Sequence, residues 1–111
     1  MDKLNILWTT DDKETFLNMI AMYSNNALKK GWWEEINILI WGGSTKLALD
    51  DQEVQDRIVE LIDSGVSVEA CRACAAEYGA SQALKQLGVN VRYTGTILTD
   101  YIKSDVKLLT I

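Results

Sequence analysis

The two cysteines of this chain, Cys71 and Cys74, are the residues whose type and spacing point most directly to chemistry. Only Arg72 and Ala73 separate them, and the pair follows an apolar run and precedes a helical one. In a helix, a spacing of three places two side chains on one face. The N–H groups and the dipole at a helix N-terminus favour the thiolate, which is the nucleophilic form of cysteine. We therefore predict that Cys71 carries the covalent chemistry and that Arg72 contributes to ligand binding through its positive charge.

Three functional hypotheses are considered for this pair of cysteines. A thioredoxin-type site needs a cis-proline facing the cysteines, and the chain has no proline, which disfavours it. A structural zinc site needs four ligands, usually Cys or His, and two cysteines without any histidine supply half of one. The third hypothesis is a sulfur-carrying thiol that cycles between thiolate and persulfide or between dithiol and disulfide. Persulfide chemistry needs neither a metal nor an organic cofactor, so we expect neither in this protein.

The cysteines also have a purely structural interpretation. Free cysteine is among the most buried residue types and packs as a small apolar side chain. In that case the chain would be a non-catalytic small-ligand-binding or assembly module of the same fold. The reactivity of Cys71 in the folded protein separates the two hypotheses, since persulfide chemistry needs a thiolate that a sulfur donor can reach.

Length and charge limit the class of protein. The 111 residues fit one domain, which we place over residues 1–111. A net charge of −5 with scattered Lys and Arg predicts no nucleic-acid partner. The chain shows neither a secretory signal nor an apolar run long enough for a bilayer, so we expect no membrane partner. Two cysteines do not make a disulfide framework, which favours a cytoplasmic protein with reduced thiols.

Five apolar runs alternate with amphipathic stretches and predict the order β-α-β-α-β-α-β-α-β. The predicted strands are 4–8, 36–41, 66–70, 89–93 and 106–111. The predicted helices run from an Asp11 cap to Gly31, from an Asp50 or Asp51 cap to Gly65, from about 73 to 87, and from about 96 to 103. Strict alternation implies right-handed crossovers, hence a three-layer α/β/α sandwich around a five-stranded, mostly parallel sheet.

Two segments at predicted strand ends are candidate ligand sites, because open α/β sheets bind ligands beyond the carboxyl ends of their strands. Gly42 and Gly43 end the second strand but lack the full spacing of a P-loop, so a tight strand exit is favoured over phosphate binding there. Thr10 follows the first strand, where helix capping is the alternative to a role in a pocket.

Residues 66–79, VSVEACRACAAEYG, resemble the cysteine segment of the DsrE-like family, which includes sulfur-relay and YchN-like proteins. An apolar strand leads to a cysteine, a second cysteine follows three residues later, and small residues and a glycine come next. Residues 8–11 and 40–43 also fit the family's layout. The resemblance implies a three-layer α/β/α fold and symmetric oligomers. For the better-known members it also implies transfer of sulfane sulfur through a cysteine persulfide at the position of Cys71.

On this resemblance we expect a sulfur-relay or thiol-redox protein, acting as a sulfurtransferase or sulfur carrier. Cys71 would be the nucleophile or persulfide carrier, and Cys74, which matches a second cysteine found in part of the family, the resolving or supporting thiol. The resemblance also implies a homo-oligomer and a protein that donates or accepts sulfur. In the relatives, the loop matching Gly42 and Gly43 borders the cysteine, so its N–H groups are candidates for holding a persulfide or a small anion.

Overall fold

The computed structural model describes residues 2–111 as a five-stranded sheet with helices on both sides. The strands are β1 (Lys3–Trp8), β2 (Glu35–Ile40), β3 (Ser67–Cys71), β4 (Asn90–Arg92) and β5 (Lys107–Thr110). They lie in the order β4-β3-β2-β1-β5, and every neighbouring pair is parallel. The predicted α/β class and parallel sheet are thereby confirmed.

Helices form each connection between strands. β1 is followed by α1 (Lys13–Thr15), a π-helical segment (Phe16–Ala21) and α2 (Met22–Lys29), and β2 by α3 (Gly43–Asp50) and α4 (Gln52–Asp63). α5 (Arg72–Glu77) and α6 (Ser81–Gln86) follow β3, and α7 (Gly95–Lys103) follows β4. In residues 2–111, no helix combines the length and the apolar character that crossing a membrane requires.

The path of the chain makes the two faces of the sheet different. β1 to β4 are laid down in one direction, so right-handed crossovers place the first three helical connections on one face. The step from β4 to β5 runs back across the sheet, which puts α7 on the opposite face. Ile6, Ile38 and Val68 are neighbours in register on the first face and belong to the main apolar core. Trp8 stacks on Phe16 at 4.2 Å between ring centroids, which joins β1 to the π-helical segment on that face.

The face under α7 is polar where the first face is apolar. Asn5 and Asn37 are paired in register and buried, and Asn37 Nδ2 donates to Asn5 Oδ1 at 3.4 Å. The same amide donates to the hydroxyl of Tyr101 at 3.2 Å, and that hydroxyl donates to Glu69 Oε1 at 3.4 Å. Since none of the residues 95–103 that form α7 is buried, these hydrogen bonds are an important part of its attachment to the sheet.

Two local predictions in the first half of the chain differ from the structure. Asp12, not Asp11, caps the first helix, because α1 begins at Lys13 and Asp12 accepts the N–H of Thr15 at 3.0 Å. At the second predicted cap, Asp51 accepts the N–H of Val54 at 3.0 Å. α3 was missing from the prediction, which placed no helix before the Asp50 or Asp51 cap, whereas a helix begins at Gly43.

The predicted single helix from about 73 to 87 is in fact two helices, α5 and α6. Gly79 has a φ of +66°, which L side chains rarely adopt, and it ends α5. The N–H of Ala80 bonds to the carbonyl of Ala75 at 2.7 Å, and that of Gly79 to Ala76 at 3.1 Å. This is the Schellman pattern of helix termination. The short α5 therefore carries the cysteine pair as a unit separate from α6.

Candidate functional site

Cys71 is the last residue of β3 and lies immediately before α5. Its backbone is extended, with φ −66° and ψ 118°, so the chain turns from strand to helix at the cysteine itself. Cys74 follows in the first turn of α5, and both cysteines are free thiols. β3 lies between β2 and β4, so the ends of both neighbouring strands border the pair.

The surroundings of Cys71 favour its thiolate. Burial is the largest influence and raises the pKa of Cys71, but four hydrogen-bond donors together outweigh it. They are, in order of effect, the N–H of Cys74, the hydroxyl of Thr94, the thiol of Cys74 and the N–H of Ala73. The pKa of Cys71 therefore lies below its ordinary value of 9.0. A lowered pKa gives Cys71 a larger thiolate fraction than an ordinary cysteine has at the same pH.

Cys74 is shifted the other way. Burial raises the pKa of Cys74, and contact with the Cys71 sulfur and the charge of Glu77 raise it further. The N–H of Gly42 opposes these effects by donating to the Cys74 sulfur, but does not cancel them. As pH rises, Cys71 therefore ionises before Cys74, and the S–H of Cys74 is still available as a donor at that stage. The opposite shifts give the two thiols different roles.

The glycine turn after β2 borders the cysteines through Gly42, whose N–H reaches the sulfur of Cys74. Gly42 has φ +71° and ψ −133°, a conformation open to glycine. Gly43 is packed against the end of β1, where an added Cβ would lie 3.2 Å from the carbonyl oxygen of Thr9. The turn therefore has one glycine that faces the dithiol and one that allows α3 to approach β1 closely.

Thr10 and Arg72 have other contacts. The hydroxyl of Thr10 accepts the N–H of Asp12 at 3.1 Å, and its carbonyl accepts Trp8 Nε1 at 2.9 Å. These bonds belong to the turn between β1 and α1, so Thr10 acts as a turn residue in this structure. The guanidinium of Arg72 lies 5.1 Å from the ring centroid of Tyr93, a cation–π contact at the surface. Arg72 is therefore turned toward the end of β4.

Thr94 is a site residue that the sequence analysis missed. It is 1% exposed, and its hydroxyl has no hydrogen-bond partner within residues 2–111. Its position beside the Cys71 sulfur explains this burial, because the hydroxyl hydrogen can point at a thiolate. The available signal was a hydroxyl directly after the fourth predicted strand, but its use requires knowing that β4 lies beside β3.

Cys71 is less accessible than persulfide chemistry led us to expect. It is 5% exposed, whereas Cys74 is only partly buried. Of the two thiols, that of Cys74 is therefore the one nearer to solvent. Within residues 2–111, no group of three Cys, Asp or Glu side chains gathers closely enough to hold a metal ion.

Fold and site together define an α/β protein with two free cysteines at the carboxyl edge of a parallel sheet. The chain belongs to the DsrE/DsrF-like family, whose profile matches residues 3–111. No curated protein matches the chain.

Solved structures agree with this assignment. A conserved protein of unknown function from Bacteroides thetaiotaomicron, BT1422, is 48% identical and superimposes with a TM-score of 0.97, covering 99% of this chain and 95% of its own. The YchN protein of E. coli is 18% identical with a TM-score of 0.75, over 100% of both chains. A protein of unknown function from Methanobacterium thermoautotrophicum, MTH1491, is 18% identical with a TM-score of 0.77, also over 100% of both chains. At 18% identity, the last two show a shared fold.

Proposed function

We propose that this protein is a sulfur-relay or thiol-redox protein that carries sulfane sulfur as a persulfide on Cys71. The observation that carries the proposal is the convergence of donors on one sulfur, the N–H groups of Ala73 and Cys74 and the hydroxyl of Thr94. Such donors favour an anionic sulfur, either a thiolate or a persulfide anion. Membership of the DsrE/DsrF-like family supports the same class of chemistry.

The transfer step needs no outside oxidant. The Cys71 thiolate attacks the outer sulfur of a donor persulfide, a new S–S bond forms on Cys71, and the donor leaves as a thiolate. An acceptor thiolate takes the sulfur by the same step in reverse. If Cys74 instead attacks the inner sulfur, the two cysteines form a disulfide. Hydrosulfide then leaves and takes up the proton that Cys74 loses.

The pKa shifts agree with Cys71 as the carrier and Cys74 as the resolving thiol. Cys71 has the lowered pKa and attacks first, while Cys74 has the raised pKa and keeps its proton until a later step. A resolving thiol that ionised first would compete with the carrier for the donor. Cys74 is also the more exposed of the two, so it is well placed to meet an incoming thiol.

Mass spectrometry tests the proposal at each cysteine separately. Trypsin cleaves after Arg72, so Cys71 falls in the peptide 58–72 and Cys74 in the peptide 73–85. After incubation with a low-molecular-weight persulfide donor, we expect one added sulfur atom on peptide 58–72, none with Cys71→Ser, and a longer-lived adduct with Cys74→Ser. An unmodified peptide 58–72 in the native protein, under conditions that modify a free thiol peptide, would refute persulfide transfer.

Burial of Cys71 favours the second candidate, a non-catalytic binding or assembly module with structural cysteines. The two candidates predict different alkylation behaviour. A working thiolate is labelled in the folded protein at a rate that follows the Cys71 pKa. A structural cysteine is labelled only after denaturation.

We also propose that the protein acts in the cytoplasm as a homo-oligomer of single-domain chains, and that its sulfur donor or acceptor is another protein. Tyr93 and Ile102 support an assembly surface, since 70% and 65% of these large apolar side chains are exposed in the isolated chain. Light scattering of the purified protein tests the assembly, and a monomer at cellular concentrations would count against it. The prediction of no nucleic-acid partner rests on the net charge of −5.

A further inference from the structure

Glu69 is a buried carboxylate two residues before Cys71 on β3, and the proposed chemistry does not use it. It is 4% exposed. Alternation along a strand puts Glu69 and Cys71 on the same face of the sheet, the face under α7. A buried carboxylate is costly unless it is paired, and its pairs show what it does.

Both carboxylate oxygens of Glu69 have partners. Arg92 of β4 forms an ion pair with Oε2 through Nε and Nη2, and the hydroxyl of Tyr101 donates to Oε1 at 3.4 Å. Burial, the charge of Glu69 and the hydrogen bond to it raise the pKa of Tyr101, so the phenol remains a donor. On the side of β2 the register neighbour is Leu39, which is uncharged. Arg92 is therefore the one cation that meets Glu69 among the described residues.

The Glu69–Arg92 ion pair is needed to hold β4 in position. β4 has three residues, Asn90–Arg92, it lies at the edge of the sheet, and none of them is buried. Little apolar burial holds its end in place. Arg92 pairs in register with Cys71, and its side chain runs back along the sheet to Glu69. The ion pair thus fixes the last residue of β4 against β3.

Thr94 follows two residues after Arg92. The segment between them carries no strand pairing, and Tyr93 is largely exposed. The position of the Thr94 hydroxyl therefore depends on where the end of β4 is held. The described structure offers that hydroxyl no hydrogen-bond partner that would hold it in place by itself.

We infer that Glu69 is a positioning residue for the dithiol: through Arg92 it fixes the end of β4 and thereby keeps the Thr94 hydroxyl on the Cys71 sulfur. The inference rests on the proposed function in treating Cys71 as the working sulfur. It makes Thr94 the group that acts on the sulfur and Glu69 the group that acts through Arg92.

Whether alkylation of Cys71 becomes slower or faster in Glu69→Gln distinguishes a positioning role from a direct electrostatic effect of the carboxylate. Replacing Glu69 with Gln removes a negative charge near Cys71 and frees Arg92, and both changes by themselves would stabilise the thiolate and speed alkylation. Displacing the Thr94 hydroxyl removes a donor and slows alkylation. A slower reaction in Glu69→Gln therefore reports positioning, and a faster one reports charge.

The experiment measures alkylation of Cys71 across pH, followed on peptide 58–72, in the full-length native protein. At neutral pH we expect Glu69→Gln to slow labelling about threefold to tenfold, as the loss of one hydrogen bond of ordinary strength would, with an unchanged rate at high pH where the thiol is fully ionised. Thr94→Val should slow it as much, and Thr94→Ser should restore most of the rate. Glu69→Gln combined with Thr94→Val should be no slower than Thr94→Val alone.

Glu60→Gln is the matched control, because it breaks an Arg–Glu pair, with Arg57, on α4. We expect it to leave Cys71 labelling unchanged. If Glu69→Gln does not fold, Arg92→Lys keeps the positive charge, loses the planar fork and should slow labelling in the same direction. An unchanged or faster rate in the folded variant, or additive slowing in the double variant, would overturn the inference. Failure of the wild type to take up sulfur would instead refute the proposed function and leave the alkylation result standing.

Discussion

The thiol of Cys74 lies beside the sulfur of Cys71 and, as a donor toward it, helps to lower the pKa of Cys71. The contact explains why one sulfur is the better nucleophile although burial works against its ionisation. It joins a strand end to the first turn of a helix, and Thr94 adds a donor from a second strand end. The site is therefore built at a junction of three elements.

The donor role of Cys74 predicts the behaviour of two variants. Cys74→Ala removes the S–H donor, so the pKa of Cys71 should rise and its alkylation at neutral pH should slow severalfold. Cys74→Ser retains a hydroxyl donor and should fall closer to the wild type. Site-resolved alkylation on peptide 58–72 measures both. Equal rates in Cys74→Ala and the wild type would show that the thiol contact has no role in ionisation.

The lowered pKa of Cys71 predicts a pH-dependent term in stability. A group with a depressed pKa in the folded state stabilises the fold once it is ionised there but still protonated in the unfolded chain. Comparing Cys74→Ser with the variant lacking both cysteines isolates Cys71. The difference in free energy of unfolding should be constant below the folded pKa, grow in favour of Cys74→Ser as pH rises toward 9.0, and be constant again above it.

Urea denaturation across alkaline pH measures this difference under reducing conditions. A difference that shrinks as pH rises would mean that burial dominates and that the pKa of Cys71 is raised. The raised pKa of Cys74 acts with the opposite sign, since its contribution to stability is lost as pH rises through its folded pKa. For that reason the comparison is made in a background without the Cys74 thiol.

Gly42 should be hard to replace. Its φ of +71° with ψ −133° is a backbone region that residues with a Cβ rarely enter. An added Cβ would meet nothing within 4 Å, so the cost of Gly42→Ala is conformational and we expect about 1 to 3 kcal/mol. Gly95→Ala is the control, because that position also has open space and has no left-handed φ. Similar unfolding free energies for the two variants would contradict this account.

Local patterns predicted the strands well. The predicted strands agree with β1 to β5 to within one residue at each end, because apolar runs bounded by glycines and acidic residues are strong signals. The same patterns misplaced helix ends. A lone glycine such as Gly79 is compatible with both a continuous helix and a break, and the Schellman bonds that decide the matter depend on the residues around it.

The part of the candidate site that is local in sequence was predicted, and the part that depends on strand order was not. Cys71 at a strand end with Cys74 one turn further on is a local arrangement, so it can be predicted from the sequence. The contact of Thr94 with Cys71 is not local, since it requires β4 to lie next to β3. Strand alternation determines direction but not spatial order, so neither Thr94 nor the Glu69–Arg92 pair could be found from periodicity.

The Glu69–Arg92 pair joins a buried carboxylate to a half-exposed guanidinium, so the free-energy cost of breaking it lies mainly in the carboxylate. Arg92→Met leaves a buried carboxylate with only the Tyr101 hydroxyl as partner, and we expect a loss of about 3 kcal/mol. Replacing Glu69 with Leu in the same protein removes the unpaired charge and should restore most of the stability. Chemical denaturation measures both variants. If the double variant is as unstable as Arg92→Met, the cost comes from lost packing of the arginine and not from the uncompensated charge.

Tyr101→Phe tests how α7 is attached to the sheet. The hydroxyl is the shared partner of Asn37 and Glu69, and its removal leaves both with one hydrogen bond fewer, at a cost of about 1 kcal/mol. Because none of the residues 95–103 is buried, this loss should fall on α7 itself. Hydrogen exchange of the amides in 95–103 should therefore accelerate more than that of β1 and β2.

Tyr23→Phe provides the matched comparison, since the Tyr23 hydroxyl accepts Trp33 Nε1 at 2.9 Å at a site away from α7. It should leave exchange in α7 unchanged. Uniform acceleration across the whole sheet in Tyr101→Phe would mean that the hydroxyl supports global stability and not the attachment of one helix. Selective acceleration would make α7 the least stable layer of the fold. Thr94 directly precedes α7, so loosening of this helix would also displace the Thr94 hydroxyl from the Cys71 sulfur. The alkylation rate of Cys71 should therefore fall in the same variant.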